Sequence, residues 1–203
     1  MNKNATFVLG RTPDNSGGPG APAGPVTSLT MPIALRFGGE AWLKTLFALG
    51  RRIPKIPEPM YRLAFIHFLR WTIIEEVPDG EGGTKKLRPP CLLFEGDFEG
   101  NFHQYVDMFI QTVPVREWAV WNRGAGFPGI RPVARFAQWV HDQSLDADHY
   151  WFAYPDATTK MVGAGLRVNE ALAAFEAAVD SSATDEEWYE QFEHLLVTVQ
   201  KDI

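Results

Sequence analysis

Cysteine is almost missing from this chain. Cys91 is the single thiol in 203 residues, which excludes an intrachain disulfide, a thiolate zinc cluster and the attachment of a c-type haem. Long apolar runs are missing too: no stretch approaches the ~20 residues needed to cross a bilayer. The segment Ala5 to Leu9 is shorter than a secretory core, and no small-residue cleavage site follows it. Positive charge is in deficit, with 19 Lys and Arg against 25 Asp and Glu for a net charge of −6. There is no basic tract and no interleaving of aromatic with basic residues, so neither nucleic acid nor a membrane is expected as a partner. No Gly-rich loop joins a strand to a helix in dinucleotide or P-loop form, and no nucleophile elbow is present, so nucleotide hydrolysis and serine-type acyl transfer lack support. The expectation is a cytoplasmic protein whose one cysteine acts as a small buried hydrophobe.

Aromatic residues, by contrast, are abundant. Seven Trp and fourteen Phe within a 45% hydrophobic composition make the core, or a pocket in it, rich in rings. The length suits one domain with additions. Residues 1–25, rich in Asn, Gly, Pro and Ala, cannot bury enough apolar surface to offset chain entropy and read as a disordered arm. Residues 26–123 read as the core, and 124–203 as an aromatic segment and helical extension packed on it.

Within the core, a strand is expected at Thr27 to Leu35. A helix follows from Gly38-Gly39 with Trp42, Leu43, Leu46 and Phe47 at helical spacing. Pro54, Pro57 and Pro59 then enforce an irregular link. The run from Arg62 to Ile74 is apolar on both faces of an extended chain, and both faces require cover. Asp79 to Gly83 turns it back into a second strand from Cys91 to Phe98. From Asn101 the set Phe102, Tyr105, Val106, Phe109 and Ile110 defines a helix. Glu117-Trp118-Ala119-Val120-Trp121-Asn122 has the β-preferring residues of a fourth strand. The resulting order, β-α-β-β-α-β, makes this an α+β protein with a ferredoxin-like antiparallel sheet. Helices are expected beyond it at about 132–143, from Thr159 to Val179, and after a capping box of Thr184 and Glu187.

His67 and Arg70 are the leading catalytic candidates. A histidine aimed from a rigid strand into a cavity can be a base, a hydrogen-bond donor or an axial ligand to haem iron. Their spacing of three sends them to opposite faces of a regular strand unless a bulge intervenes. Glu95 or Asp97 on the adjacent strand offers Arg70 a carboxylate. Trp71, Trp121 and Tyr154, with Trp118, Tyr150 and Trp151, could line a pocket for a flat apolar molecule or pack as core and seam. Asn101 beside Gly100 suits helix capping. Asp146, Asp148 and His149 near His141 match no metal-ligand spacing.

Four ordered blocks carry a family resemblance: Ile66-His67-Phe68-Leu69-Arg70-Trp71; Leu92 to Gly100 with Tyr105 behind it; Val120-Trp121-Asn122 before Gly126-Phe127-Pro128; and Tyr150-Trp151-Phe152-Ala153-Tyr154-Pro155. Over about residues 27–172 the chain resembles a family of uncharacterised bacterial and fungal proteins, similar in turn to the dimeric α+β barrel superfamily. It departs from that family's usual phrasing at Gly96-Asp97, where Ser-Asn is typical, and at Glu99, where Asp precedes the glycine. The resemblance implies a homodimer formed by two sheets face to face. It also implies a small apolar or aromatic ligand handled by haem-dependent or cofactor-free oxidative chemistry, or by a binding or scaffold module without catalysis.

Overall fold

The computed structural model describes residues 21–23, 26–53, 63–147, 150–151, 153–154, 157–179 and 184–202. Two compact units make up the chain, Met1–Pro155 and Asp156–Ile203.

The first unit is α+β. Its strands are β1 (Ala21–Ala23), β2 (Val26–Ala34), β3 (Ile66–Pro78) and β4 (Thr84–Glu99). Its helices are α1 (Gly39–Arg52), α2 (Phe102–Thr112), α3 (Pro114–Trp121) and α4 (Val133–Gln143). The sheet runs in the order β1-β2-β4-β3 with every neighbouring pair antiparallel. β2 and β3 are therefore parallel to one another with β4 between them, and α1 is the crossover, which is a split β-α-β unit. The hairpin of β3 and β4 forms as expected, around Asp79, whose Oδ1 accepts from the backbone N–H groups of Glu81 and Gly83. Most of the expected arm, 1–20 and 24–25, lies outside the described residues, as does the proline link at 54–62; Ala21–Ala23 pairs with the start of β2.

One expected strand is a helix. Glu117 to Asn122 was to close the ferredoxin-like sheet; instead Pro114 to Trp121 form α3. Proline occupies the first helical position, where its fixed φ suits a helix and its missing N–H costs nothing. Four-residue spacing then brings Val113, Glu117 and Trp121 inward together, all three buried. That burial outweighs the β preference of Trp118 and Val120, since β propensity depends on the surface available to pack against. Beside β2, where the fourth strand was expected, lie β1, a bridge from Leu145 to Thr30, and the Ala125 N–H donating to the Ala34 carbonyl.

All four helices cover one face of the sheet. Leu29, Met31 and Ile33 of β2, with Leu92, Phe94 and Phe98 of β4, form one buried cluster with Leu43 of α1, Phe102, Tyr105, Phe109 and Ile110 of α2, Trp121 of α3, and Phe136, Trp139 and Val140 of α4. Gly100, at φ 85, makes the left-handed turn from β4 into α2 that a side chain would strain. Asn101 then caps α2, its side chain accepting from the Gln104 N–H at 3.0 Å.

The second unit is a helical hairpin of α5 (Thr159–Ala178) and α6 (Asp185–Val199). Thr184 and Glu187 form the expected capping box of α6, Phe175 packs on Trp188 and Phe192, and Arg167 pairs with Asp202 at 2.5 Å. No helix among the described residues is long and apolar enough to cross a membrane.

Candidate functional site

On the helix side of the sheet, α1, α3 and β3 enclose a cleft of about 660 Å³, within the roughly 300–1,000 Å³ typical of small-molecule sites. α1 contributes Leu46, Phe47, Gly50 and Arg51, β3 contributes Trp71, and α3 contributes Val115, Arg116, Glu117, Ala119 and Val120. The amphipathic spacing of α1 buries Leu43 in the core and turns Leu46 and Phe47 to the cleft. Trp42 ties the two helices together: its Nε1–H donates to the carbonyl of Ala119 at 2.7 Å, and Arg123 stacks over its ring. From Phe47 and Trp71 in the wall, 6.2 Å apart, a chain of rings runs on into the core, Trp71 to Phe94 at 5.5 Å and Phe94 to Trp121 at 5.2 Å.

Glu117 is the one acidic residue in this wall among the described residues and is only 6% exposed. Its Oε2 accepts from Trp121 Nε1–H at 2.5 Å, and Oε1 has no hydrogen-bond partner among the described residues. Burial disfavours its charged form and pushes the carboxyl up to about 8, against the smaller opposing effect of the Trp121 bond. At neutral pH the group therefore keeps its proton and is a hydrogen-bond donor at the edge of an apolar cavity, a state a carboxyl reaches only in such surroundings. Tyr105, buried beside it, is held well above the ordinary phenol range by burial and by Glu117. The Trp71 Nε1–H is buried without an acceptor among the described residues.

The other face of the sheet carries the residues singled out from sequence. The β3–β4 register slips by one between Ile66↔Phe98 and Phe68↔Asp97, so His67 is the extra residue of a bulge. The bulge turns His67 to Glu99, 3.5 Å away. Arg70 lies directly across from Glu95 and pairs with it at 2.5 Å. Because 95, 97 and 99 alternate onto one face of β4, His67 and Arg70 share a face after all, each beside its own carboxylate. Between them Asp97, 6% exposed, accepts from the Tyr150 hydroxyl at 2.7 Å through Oδ2. Its Oδ1 has no partner among the described residues. Burial and Asp97 together raise the Tyr150 hydroxyl above the ordinary phenol range.

Of the expected ligand-binding rings, Trp71 lines the cleft, Trp121 stands behind it as the partner of Glu117, and Tyr154 is 73% exposed. Among the described residues the cleft wall holds no histidine, cysteine, tyrosine or methionine, the side chains that ligate haem iron. No group of three or more His, Cys, Asp or Glu suited to a metal ion occurs among the described residues; Asp148 and His149 lie outside them. Glu117 and Arg51 were not visible as site residues in the sequence. The available signal for Glu117 was its position one turn after Val113-Pro114 and one turn before Trp121. The chain matches no family model, no curated protein and no solved structure.

Proposed function

We propose that this protein binds a small apolar or aromatic molecule in the cleft between α1, α3 and β3. The observation that carries the reading is the cleft itself, about 660 Å³ and lined chiefly by Leu46, Phe47, Trp71, Val115 and Val120, with the buried Glu117 carboxyl, bonded to Trp121, in its wall. Such a wall excludes water and rewards apolar area at about 25 cal/mol per Å². The carboxyl gives one hydrogen bond to a carbonyl, ether or hydroxyl of the ligand. A proton donor with an affinity near neutral is also suited to general acid catalysis, so an enzyme built on this cleft would use Glu117 in place of His67 and Arg70. The test is a titration with 2-acetylnaphthalene, a flat ligand with one acceptor. Saturable binding that Val120→Trp abolishes, with thermal unfolding unchanged, is the expected result. Heat and fluorescence titrations without saturation would refute the reading.

A second reading is a non-catalytic dimeric module of the α+β barrel type, in which the sheet face opposite the helices meets a second copy of the chain. Phe68, 46% exposed on that face beside half-buried Ile74, Cys91 and Leu93, favours it. Sedimentation separates the cases: Phe68→Glu converts a dimer to monomer if this face pairs, and a wild-type monomer ends the proposal.

A further inference from the structure

The two sides of the helical hairpin differ. Met161, Gly165, Val168 and Leu172 follow one another at intervals of four, three and four residues and so form a stripe along α5. Tyr189 and Leu196, two turns apart, do the same on α6, and the packing of Phe175 on Phe192 sets the stripes side by side. The opposite side of the hairpin carries Arg167, His194 and Thr198. Met161, Leu172, Tyr189 and Leu196 are 42–60% exposed. No residue of α5 is buried, although a helix apolar on most of its surface requires cover. Gly165 lies midway along its stripe with open space where a Cβ would stand. Glycine there weakens the helix and leaves a notch between Met161 and Leu172.

Charge decides what fits this face. Residues 156–203 carry three Lys and Arg against ten Asp and Glu, a net charge of −7, whereas residues 1–155 carry 16 against 15. The count takes in every residue of the chain, and Glu176 of α5 with Glu186 and Glu193 of α6, all exposed, flank the apolar stripes. None of these three glutamates has an ion-pair partner among the described residues. A second copy of the hairpin would set −7 against −7, a juxtaposition that costs association energy. We infer that this face docks a cationic amphipathic helix of a partner protein. The partner's apolar stripe lies in the groove between α5 and α6, a large side chain seats in the notch at Gly165, and its Lys or Arg side chains lie over Glu176, Glu186 and Glu193. From Met161 to Leu172 the groove runs about 16 Å, three turns of such a helix. Its arrival converts a two-helix hairpin into a three-helix bundle and covers the exposed stripe of α5.

The experiment titrates the full chain into two dye-labelled peptides of about 15 residues, four turns of helix, that share one leucine stripe and differ in carrying Lys or Glu at every polar position. Fluorescence anisotropy should show saturable binding of the Lys peptide, at least about tenfold tighter than the Glu peptide and weakened by salt. Glu176→Lys with Glu193→Lys, two exposed substitutions, should remove that preference. Gly165→Leu, which favours the helix while filling the notch, should weaken the Lys peptide about tenfold with thermal unfolding no lower than wild type. Equal affinity for the two peptides, no saturation with the Lys peptide, or Lys-peptide binding that survives Gly165→Leu would overturn the inference. A wild-type dimer in sedimentation that Gly165→Leu converts to monomer would overturn it as well, because the face would then belong to a second copy.

Discussion

Replacing Glu117 with Gln should make the protein more stable at alkaline pH, and the gain can be worked from the site. Below the ordinary carboxyl value of 4.5 both folded and unfolded chains hold the proton, and the group contributes no pH dependence. Between 4.5 and about 8 the unfolded chain releases the proton while the folded one retains it. Folding then takes up a proton, so stability falls as pH rises, by up to about 1.4 kcal/mol per pH unit. Above about 8 both states are ionised and the loss levels off at about 5 kcal/mol relative to acid conditions. Gln cannot ionise and its Oε1 still accepts from Trp121, so the variant lacks this slope. Urea unfolding of both proteins at about pH 5, 7 and 9 should give a difference that grows with pH, small at the first and several kcal/mol in favour of Gln at the last. Other groups titrate alike in both chains and cancel. Parallel stability curves would show that Glu117 is ionised in the folded protein at neutral pH, and the donor role would fall with them.

Three further outcomes follow from packing and hydrogen bonding. In Gly96→Ala the new Cβ would lie 2.7 Å from Leu69 Cδ2 and 3.3 Å from the Phe68 carbonyl oxygen, a crowding that should cost about 1–3 kcal/mol in urea unfolding; a neutral result would mean β3 and β4 approach less closely than described. Tyr150→Phe removes the only hydrogen bond that Asp97 receives among the described residues, and a loss of about 1–3 kcal/mol at neutral pH is expected, whereas unchanged stability would show that another group satisfies the carboxylate. Thr184→Ala breaks the capping box of α6 and should cost about 1 kcal/mol, read as a loss of helix signal on heating; coincident melting curves would place the start of that helix elsewhere.

How much of this was legible in the sequence differs element by element. The β3–β4 hairpin was plain because two apolar runs flank a Gly-rich turn, and of the two carboxylates expected for Arg70, Glu95 or Asp97, the structure pairs it with Glu95. The amphipathic helices α1, α2 and α4, and the capping box of α6, were equally readable from spacing and end signals. α3 was not, because Trp118 and Val120 carry β preference, and the deciding factor was the buried surface available to Val113, Glu117 and Trp121 once the chain had folded. Glu117 was missed with it: in an alternating strand a glutamate belongs to the solvent face, and only helical spacing sends it into the core. The bulge at His67 has no local signature, since it arises from a slip between strands, and it alone decides that His67 faces Glu99. The α+β class and the antiparallel sheet emerged as expected, while the segment expected as the sheet's last strand became a wall of the cleft.

The most direct test of ligand binding in this cleft is nuclear magnetic resonance of the Trp71 indole N–H during titration with 2-acetylnaphthalene. Trp71 forms part of the wall against Phe47 and Phe94, so an aromatic guest placed there adds its ring current to the indole. A saturable shift of that signal, assigned through Trp71→Phe and lost in Val120→Trp, is the expected result. An indole signal that stays fixed through the titration, or that still moves when Val120→Trp has filled the cleft, would contradict it.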